Sequence, residues 1–367
     1  MPGRDLAPTP GAPVPHLPGV LTADQVRATG TAIARMQLPD GQIPWFPGGH
    51  TDPWDHVESA MGLTASGFHA AAEAAYDWLS RTQRRDGSWP MRVRGDRIED
   101  ATADTNFCAY IAVGVHHHLA VTGDRAFAHR MWPTVDRALG FVVAMQNPDG
   151  TVGWARCPRG GPAREALLTG NSSIHMSLHY GARLAAALGH ERPVWESARA
   201  RLQAALTGRP EAFAPKPEFA MDWYYPVLAG ALRGEDAHRR IAARWDDFVV
   251  PGLGIRCVDH QPWVTGAETC ELVLALTAIG DRERAAEQLA AMQHLRDDDG
   301  SYWTGLVFTD GKRWPVEVSS WTSAAVILAT DALADATGGA QIFTGADGAV
   351  TAGRSAARSV RAPASNR

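Results

Sequence analysis

Apolar residues recur along most of this chain with the 3.6-residue spacing of amphipathic helices. Together with the residues that start and stop helices, this spacing predicts twelve helices and essentially no sheet. The exception is one small hairpin, predicted where residues 306–308 are followed by Asp310 and Gly311. The predicted helices are residues 22–37, 55–65, 68–83, 104–121, 124–146, 171–188, 193–207, 222–233, 235–247, 266–279, 282–294 and 317–337.

Short and long connections alternate between these helices. Short connections, such as residues 122–124 and 280–281, join neighbouring helices into antiparallel hairpins. The pattern therefore predicts an all-α fold, an (α/α)6 toroid of six hairpins in two concentric rings. The long connections precede the even-numbered helices, so the starts of these predicted inner helices should meet on one face.

A repeat supports the ring. Four times a helix runs into a Gln, then a turn with Asp-Gly, then a Trp. The copies run from Gln37 to Trp45, Gln83 to Trp89, Gln146 to Trp154 and Gln293 to Trp303. Glycine supplies the positive φ of the turn, and the Gln amide can bond loose backbone groups at the helix end. We expect Trp89 and Trp154 to be buried away from the cavity.

Length and composition favour one domain. The chain has 367 residues, 45% of them apolar, which is enough for a large core. Closed rings often use a whole chain, and we expect the toroid over residues 20–337. Residues 1–19 are rich in proline and read as a flexible segment. Residues 338–367, rich in Gly, Ala, Ser and Arg, are predicted to be a disordered tail.

Charge and cysteine usage limit the classes of partner and the cellular compartment that we expect. The formal net charge of −5 argues against a nucleic-acid partner. No apolar run reaches 18 residues, so no transmembrane segment is expected, and the N-terminus lacks the apolar core of a signal peptide. Four cysteines without a CxxC pair favour the cytoplasm. The run His116–His118 points three ways from a helix, so neither a metal nor another cofactor is expected.

Polar residues and aromatics gather at the predicted starts of the inner helices. Acids close together raise one pKa and create a general acid. The candidate catalytic residues are Asp55, His56, Glu58, Asp222 and Glu268. The candidate substrate-binding residues are Trp54, Asn106, Trp223, Tyr224, Tyr225, Trp263 and Glu317.

Helix capping is the competing interpretation. Asp104, Asn171, Asp222 and Thr265 are residue types that cap helix N-termini. Capping accounts for part of the set but leaves the aromatic residues unexplained. Aromatic walls with a few convergent carboxylates are typical of a small-molecule site.

One segment resembles a known repeat. Residues 75–79 followed by Gln83 to Trp89 resemble the QW repeat of terpenoid cyclases and protein prenyltransferases. The blocks 52–58, 221–226 and 252–258 are similar to actinobacterial proteins called prenyltransferases. The resemblance implies a transferase or cyclase that acts on an isoprenoid or another small apolar substrate in the central cavity.

The sequence departs from these families at their chemical motifs. Ala101 and Ala103 stand where the DxDD acid of class II cyclases would place carboxylates. Glu268 and Cys270 have no histidine partner for the zinc of prenyltransferases. The acids Asp297–Asp299 lie before Gly300 in a turn, so no DDxxD motif for magnesium is present.

Two other functions stay open at this point. Six-hairpin glycosidases share the ring, and there one acid protonates the leaving oxygen while a second carboxylate attacks or activates water. A non-catalytic binding protein is the third possibility, although burying unpaired acids is costly without a function. In each case the expected partner is a small molecule, an isoprenoid or a sugar.

Overall fold

A computed structural model describes residues 7–344, which form two concentric rings of helices. The inner helices are α2 (Pro53–Ala65), α5 (Ile111–Thr122), α7 (Leu168–Leu188), α9 (Ala220–Leu228), α12 (Gly266–Ala278) and α14 (Ser320–Ala334). The outer helices are α1 (Ala23–Met36), α3 (His69–Thr82), α6 (Arg125–Ala144), α8 (Pro193–Gly208), α10 (Gly234–Ala243) and α13 (Arg282–Ala291). Shorter helices are α4 (Thr105–Ala109), α11 (Trp245–Phe248) and α15 (Gln341–Thr344), with 3₁₀ turns at Pro210–Ala212 and Met292–Leu295.

The inner helices close a ring. Each packs on the next, from α2 through α5, α7, α9, α12 and α14, and α14 packs back on α2. Every residue of α14 except Ala334 is buried, whereas the outer helix α10 buries only Ala237 and Ile241. The predicted all-α toroid is confirmed, and the even-numbered predicted helices form its inside.

The Gln-to-Trp repeat joins neighbouring outer helices. The Nε2 atom of Gln83 donates to Gly87 O at 3.0 Å, in its own turn, and to Thr134 O at 2.9 Å, in α6. Gln37 and Gln146 make the same pair of bonds to their own turn and to the next outer helix. The repeat is therefore a packing device of the toroid.

Short antiparallel strands fill the long connections at the face where inner helices begin. They are β1 (Arg92–Arg94), β2 (Arg97–Asp100), β3 (Ala103–Asp104), β4 (Ala155–Cys157), β5 (Gly161–Pro162), β6 (Val249–Val250), β7 (Gly254–Arg256), β8 (Trp263–Thr265), β9 (Gly305–Val307) and β10 (Lys312–Arg313). The predicted hairpin is β9–β10, but it belongs to a five-stranded sheet in the order β10-β9-β8-β7-β6. The expectation of essentially no other sheet was wrong, because strands of successive long connections pair with one another, β3 with β4 and β8 with β9.

The described chain continues past the predicted domain end at residue 337. Ile342 and Phe343 of α15 are buried, and Tyr180 donates its hydroxyl proton to Ile342 O at 2.6 Å. Of the two predicted terminal segments, residues 1–6 and 345–367 lie outside the described residues. None of the helices between residues 7 and 344 is long and apolar enough to cross a membrane.

Candidate functional site

A pocket of about 310 Å³ opens where α2, α4, α7 and α9 begin. Its lining residues are Trp54, Asp104, Thr105, Asn106, Phe107, Trp154, Leu167, Thr169, Gly170, Asn171, Lys216, Phe219, Met221, Asp222 and Cys257. We call it the mouth pocket.

The two repeat tryptophans differ in where they lie. Trp154 is half-buried and lines the mouth pocket, so the expectation that it lies away from the cavity was wrong. Trp89 is 2% exposed and donates its indole N–H to Leu79 O at 2.9 Å, within the outer ring.

Two polar side chains of the mouth pocket suit a ligand with hydroxyl groups. Asp222 accepts the hydroxyl proton of Thr169 at 2.6 Å, and burial raises the pKa of its carboxyl. Asn106 is 5% exposed, and its Oδ1 atom has no hydrogen-bond partner. An unpaired buried acceptor costs free energy that a donated hydroxyl proton would recover.

Three carboxylates lie together at the starts of α2 and α4. Asp52 caps α2 and accepts the backbone N–H of Asp55 at 2.9 Å. Burial, then the charge of Asp52, raises the pKa of Asp55 well above its usual range. Asp104 caps α4, and burial raises its pKa to about 7. Acids in this arrangement can carry a proton near neutral pH.

Deeper in the ring, Glu58 and Glu271 are both 1% exposed. Burial raises the pKa of Glu58 to about 8, although the indole of Trp321 donates to its Oε2 at 3.2 Å. Burial and the neighbouring Glu58 also raise the pKa of Glu271, which accepts the hydroxyl proton of Tyr224. These two acids lie beneath Asp52, Asp55 and Asp104, and we call the five residues the carboxylate cluster.

Glu268 lies in the first turn of α12 and is 6% exposed. Its carboxyl lies beside the thiol of Cys257, a lining residue of the mouth pocket, and together with burial it raises the pKa of that thiol. The positive end of the helix dipole stabilises a negative charge at this position. Glu268 thus stands behind the wall formed by Cys257.

Aromatic rings connect these acids. The Trp54 ring lies 5.8 Å from Tyr110 and 5.7 Å from Tyr225, both edge-on. Tyr225 is 1% exposed, and Glu58 and Glu271 lie close enough to raise its pKa after burial does. The resulting wall offers Trp54 to a ligand in the pocket and keeps water from the acids beneath.

His56 faces away from this cluster. Its Nδ1 atom accepts the backbone N–H of Ile43 at 3.1 Å, and its Nε2 lies 2.9 Å from Ala75 O in α3. Because Nδ1 accepts this hydrogen bond, it is unprotonated, and Nε2 carries the ring proton and donates to Ala75 O. Burial lowers the pKa of this ring. Both nitrogens are therefore occupied in joining α2 to the outer ring.

The remaining candidates lie apart from the mouth pocket lining. Trp223 donates to Arg240 O at 2.9 Å and stacks on Phe248 at 5.1 Å, between α9 and α10. Trp263 packs edge-on against Trp314 in the five-stranded sheet. Glu317 accepts the indole N–H of Trp45 at 2.8 Å.

Several residues of this site carried little signal in the sequence. Asp104 stood out as a helix cap, whereas Asp52 and Glu271 were not among the candidate site residues. Lys216 and Cys257 come from irregular loops, where no period indicates which way a side chain points. A capping role in sequence does not exclude a role at the pocket, because caps of inner helices face the mouth.

The described residues contain no group of three His, Cys, Asp or Glu side chains placed to hold a metal. His116–His118 are all buried in α5, and burial lowers each pKa to about 3. The expectation of no metal or cofactor remains a prediction.

Comparison with known proteins identifies the family. No family model matches the sequence. The chain is 60% identical over 334 residues to an "MMP endo-(1,4)-3-O-methyl-alpha-D-mannosidase" of Mycolicibacterium hassiacum, covering 91% of this chain and 93% of that protein. This chain belongs to the family of that mannosidase.

Solved structures share the toroid fold of this chain. A glycosidase in complex with glucose has a TM-score of 0.69 at 17% identity, covering 86% of this chain and 97% of that chain. A D-mannose isomerase has a TM-score of 0.65 at 11% identity, covering 84% and 95%. A cellobiose 2-epimerase from Spirochaeta thermophila has a TM-score of 0.61 at 14% identity, covering 85% and 97%.

The mannosidase relative overturns the prenyltransferase interpretation. The chain is not a prenyltransferase- or terpenoid-cyclase-like transferase, and the glycosidase alternative was the better reading. The error has a physical cause. In the first three copies the Gln amide bonds its own turn and the next outer helix, so the repeat reports the ring and carries no information about the reaction.

Proposed function

We propose that this protein is an endo-acting glycoside hydrolase that cleaves (1,4) bonds between 3-O-methyl-α-D-mannose units within a chain. The observation that carries this proposal is the 60% identity to the mannosidase over 91% of the chain. The carboxylates and aromatic rings at the mouth supply residues suited to that chemistry.

Asp55 is the proposed general acid. Its pKa is raised by burial and by Asp52, so it holds a proton that can pass to the glycosidic oxygen as the bond to the anomeric carbon breaks. It is 8% exposed and directly follows Trp54, which lines the mouth pocket. Keeping one acid protonated beside ionised neighbours is how glycosidases separate their two roles.

Glu268 is the proposed second carboxylate. It comes from the first turn of α12 and lies behind the mouth pocket, beside Cys257 of the pocket lining. A carboxylate at that position either attacks the anomeric carbon or takes a proton from the attacking water. The water oxygen ends on the anomeric carbon, its proton restores the acid, and two shorter saccharides leave.

Asp104 is a second candidate for the acid, favoured by one observation. It lines the mouth pocket directly, and its pKa of about 7 suits proton transfer at neutral pH. Because Asp104 also caps α4, its replacement by Asn keeps the cap and removes only the acid.

The test compares Asp55→Asn, Glu268→Gln and Asp104→Asn on two substrates. One is an oligosaccharide of (1,4)-linked 3-O-methyl-α-mannose, followed by the appearance of reducing ends. The other is a 3-O-methyl-α-mannoside with an aryl leaving group, which departs without protonation. We expect Asp55→Asn to slow the oligosaccharide reaction by about 10²–10⁴-fold while largely sparing the aryl substrate.

Glu268→Gln should abolish both reactions, and Asp104→Asn should change neither by more than a few-fold. The melting temperature of Asp55→Asn should be level or higher, since the neutral amide replaces a carboxyl whose charged form is disfavoured by burial and by Asp52. A wild-type protein that cleaves neither substrate would refute the proposed function. If Asp104→Asn rather than Asp55→Asn spares only the aryl substrate, Asp104 is the acid.

A further inference from the structure

A second, larger groove of about 780 Å³ adjoins the mouth pocket. One wall is the loop between α8 and α9, over residues 210–217, and the other is the last turn of α10 with Arg244. Lys216 and Asp222 line both the groove and the mouth pocket. The two cavities therefore adjoin at these two residues.

The wall of the groove is held in place before any ligand arrives. The backbone N–H of Ala214 donates to Ala166 O at 2.9 Å, and Arg244 donates to Pro217 O at 2.7 Å. Prolines at positions 210, 215 and 217 restrict the backbone between these anchors. A groove that is already ordered loses little conformational entropy on binding.

The arginines along the groove do not make it an anion site. Arg239 pairs with Asp236, and Arg244 pairs with Asp259 at 2.7 Å. Arg240 donates to the backbone oxygens of Asp222 and Trp223 at 2.6 and 2.8 Å. Its arginines are thus held by acids and carbonyls, and its lysine, Lys216, lies over the ring of Phe219 and near the carboxyl of Asp222, so the groove favours a neutral ligand over a polyanion.

The surface of the groove combines apolar and polar groups. Phe213 and Trp223 are buried beneath it at 5% and 4% exposure, and the rings of Pro215 and Pro217 lie on its wall. The guanidinium groups at its edge offer N–H donors. An apolar floor with donors at the rim suits a saccharide whose ring carries both methyl ethers and free hydroxyls.

We propose that this groove binds the saccharide units that extend beyond the cleaved bond, with the chain passing between the two cavities at Lys216 and Asp222. The inference rests on the proposed function, because an enzyme that cuts within a chain must hold units on both sides of the cut. At about 310 Å³, the mouth pocket is near the small end of the roughly 300–1,000 Å³ range of ligand sites. The groove supplies the space that it lacks.

The test narrows the groove with Ala243→Trp. Ala243 is exposed on α10 and lines the groove, whereas its neighbour Ala242 is equally exposed and does not. Ala242→Trp is therefore a matched control, and Glu211→Trp narrows the groove from the opposite wall. Kinetics are compared on the shortest oligosaccharide that the wild type cleaves and on one longer by several units.

We expect both groove variants to lower kcat/KM on the long substrate by about tenfold, mainly through KM, and to leave the short substrate unchanged. The control should match the wild type on both. Equal kcat/KM of Ala243→Trp and Ala242→Trp on the long substrate would overturn the inference. So would a wild type whose kcat/KM is the same on the short and the long substrate. Either result leaves cleavage, and so the proposed function, intact.

A calorimetric titration of uncut oligosaccharides in the Glu268→Gln background separates binding from reaction. The long oligosaccharide should bind more tightly than the short one, and Ala243→Trp should remove only that difference. If the wild type cleaves no oligosaccharide but this length-dependent binding persists, the hydrolase proposal fails while saccharide binding in the groove stands. If the wild type neither cleaves the oligosaccharides nor binds the longer one more tightly, the hydrolase proposal and the groove proposal are both wrong.

Discussion

At the scale of single residues, the site carries an energetic cost. Asp55, Glu58 and Glu271 share the centre of the ring, and the pKa of each is raised by burial and by another acid nearby. Repulsion between like charges is strong where water is excluded. Such an arrangement is typical of functional sites, where stability is given up for reactivity.

Glu58→Gln tests this cost. The pKa of Glu58 is about 8 in the folded protein against about 4.5 without burial, so the folded state holds the proton more tightly. Stability should therefore fall as pH rises between these values, by at most about 1.4 kcal/mol per pH unit for one group. The amide of the variant does not ionise, so the variant does not lose this stability. Its melting temperature should exceed that of the wild type at pH 8 and match it near pH 4.

The control for this experiment is Asp246→Asn, at an exposed position of α11. Its difference from the wild type should stay constant across the same pH range. A Glu58→Gln variant that melts below the wild type at pH 8 would show that the ionised carboxylate stabilises the fold.

At the scale of elements, the repeat turn explains how the outer helices find their neighbours. Gly87 has φ +91°, and a Cβ atom there would lie 2.1 Å from Arg137 O in α6. Gly41 and Gly150 meet α3 and α8 in the same way. Each turn therefore needs glycine both for its backbone angle and for the close approach of the next helix.

Gly87→Ala should destabilise the protein by more than about 1–2 kcal/mol, the cost of the left-handed backbone alone. The matched control is Gly140→Ala in α6, where a Cβ atom meets nothing within 4 Å. That variant should be neutral or more stable by up to about 1 kcal/mol. Urea unfolding of both variants measures the difference, and equal midpoints would contradict the packing role of the turn.

At the scale of the whole molecule, the last repeat closes the ring. Gly300 packs against Ala28 in α1, and its carbonyl accepts the hydroxyl proton of Thr29 at 2.8 Å. The first outer helix is thereby joined to the turn that follows the last one. The bond spans 271 residues of sequence, so it reports ring closure directly.

Thr29→Val removes this bond and keeps the side-chain shape. Thr31→Val is the control, because its hydroxyl bonds only to Arg27 O within α1. We expect Thr29→Val to cost about 1–3 kcal/mol, since Gly300 O loses its buried partner, and Thr31→Val to cost less than half of that. Thermal melting measures both variants. An equal shift in melting temperature would show that the Thr29–Gly300 hydrogen bond stabilises the fold no more than the bond within α1.

The sequence by itself determined the helices, their alternation and the ring. Helical periodicity marks a buried stripe wherever it lies, and the alternating loop lengths leave few ways to arrange hairpins. It also placed Trp54, Asn106 and Asp222 at inner helix starts, where the structure has them lining the mouth pocket. The starts of the inner helices meet on one face because of the ring topology, and the alternating loop lengths predict that topology.

The tertiary structure alone decided which way each side chain at those starts points. His56 and Trp223 turn toward the outer ring, whereas the cap Asp104 and the loop residue Lys216 line the mouth pocket. Residues adjacent in sequence project in different directions from a helix, and which direction meets the cavity depends on how neighbouring helices pack. Local sequence carries no record of that packing, so the fold was readable while the site and its reaction were not.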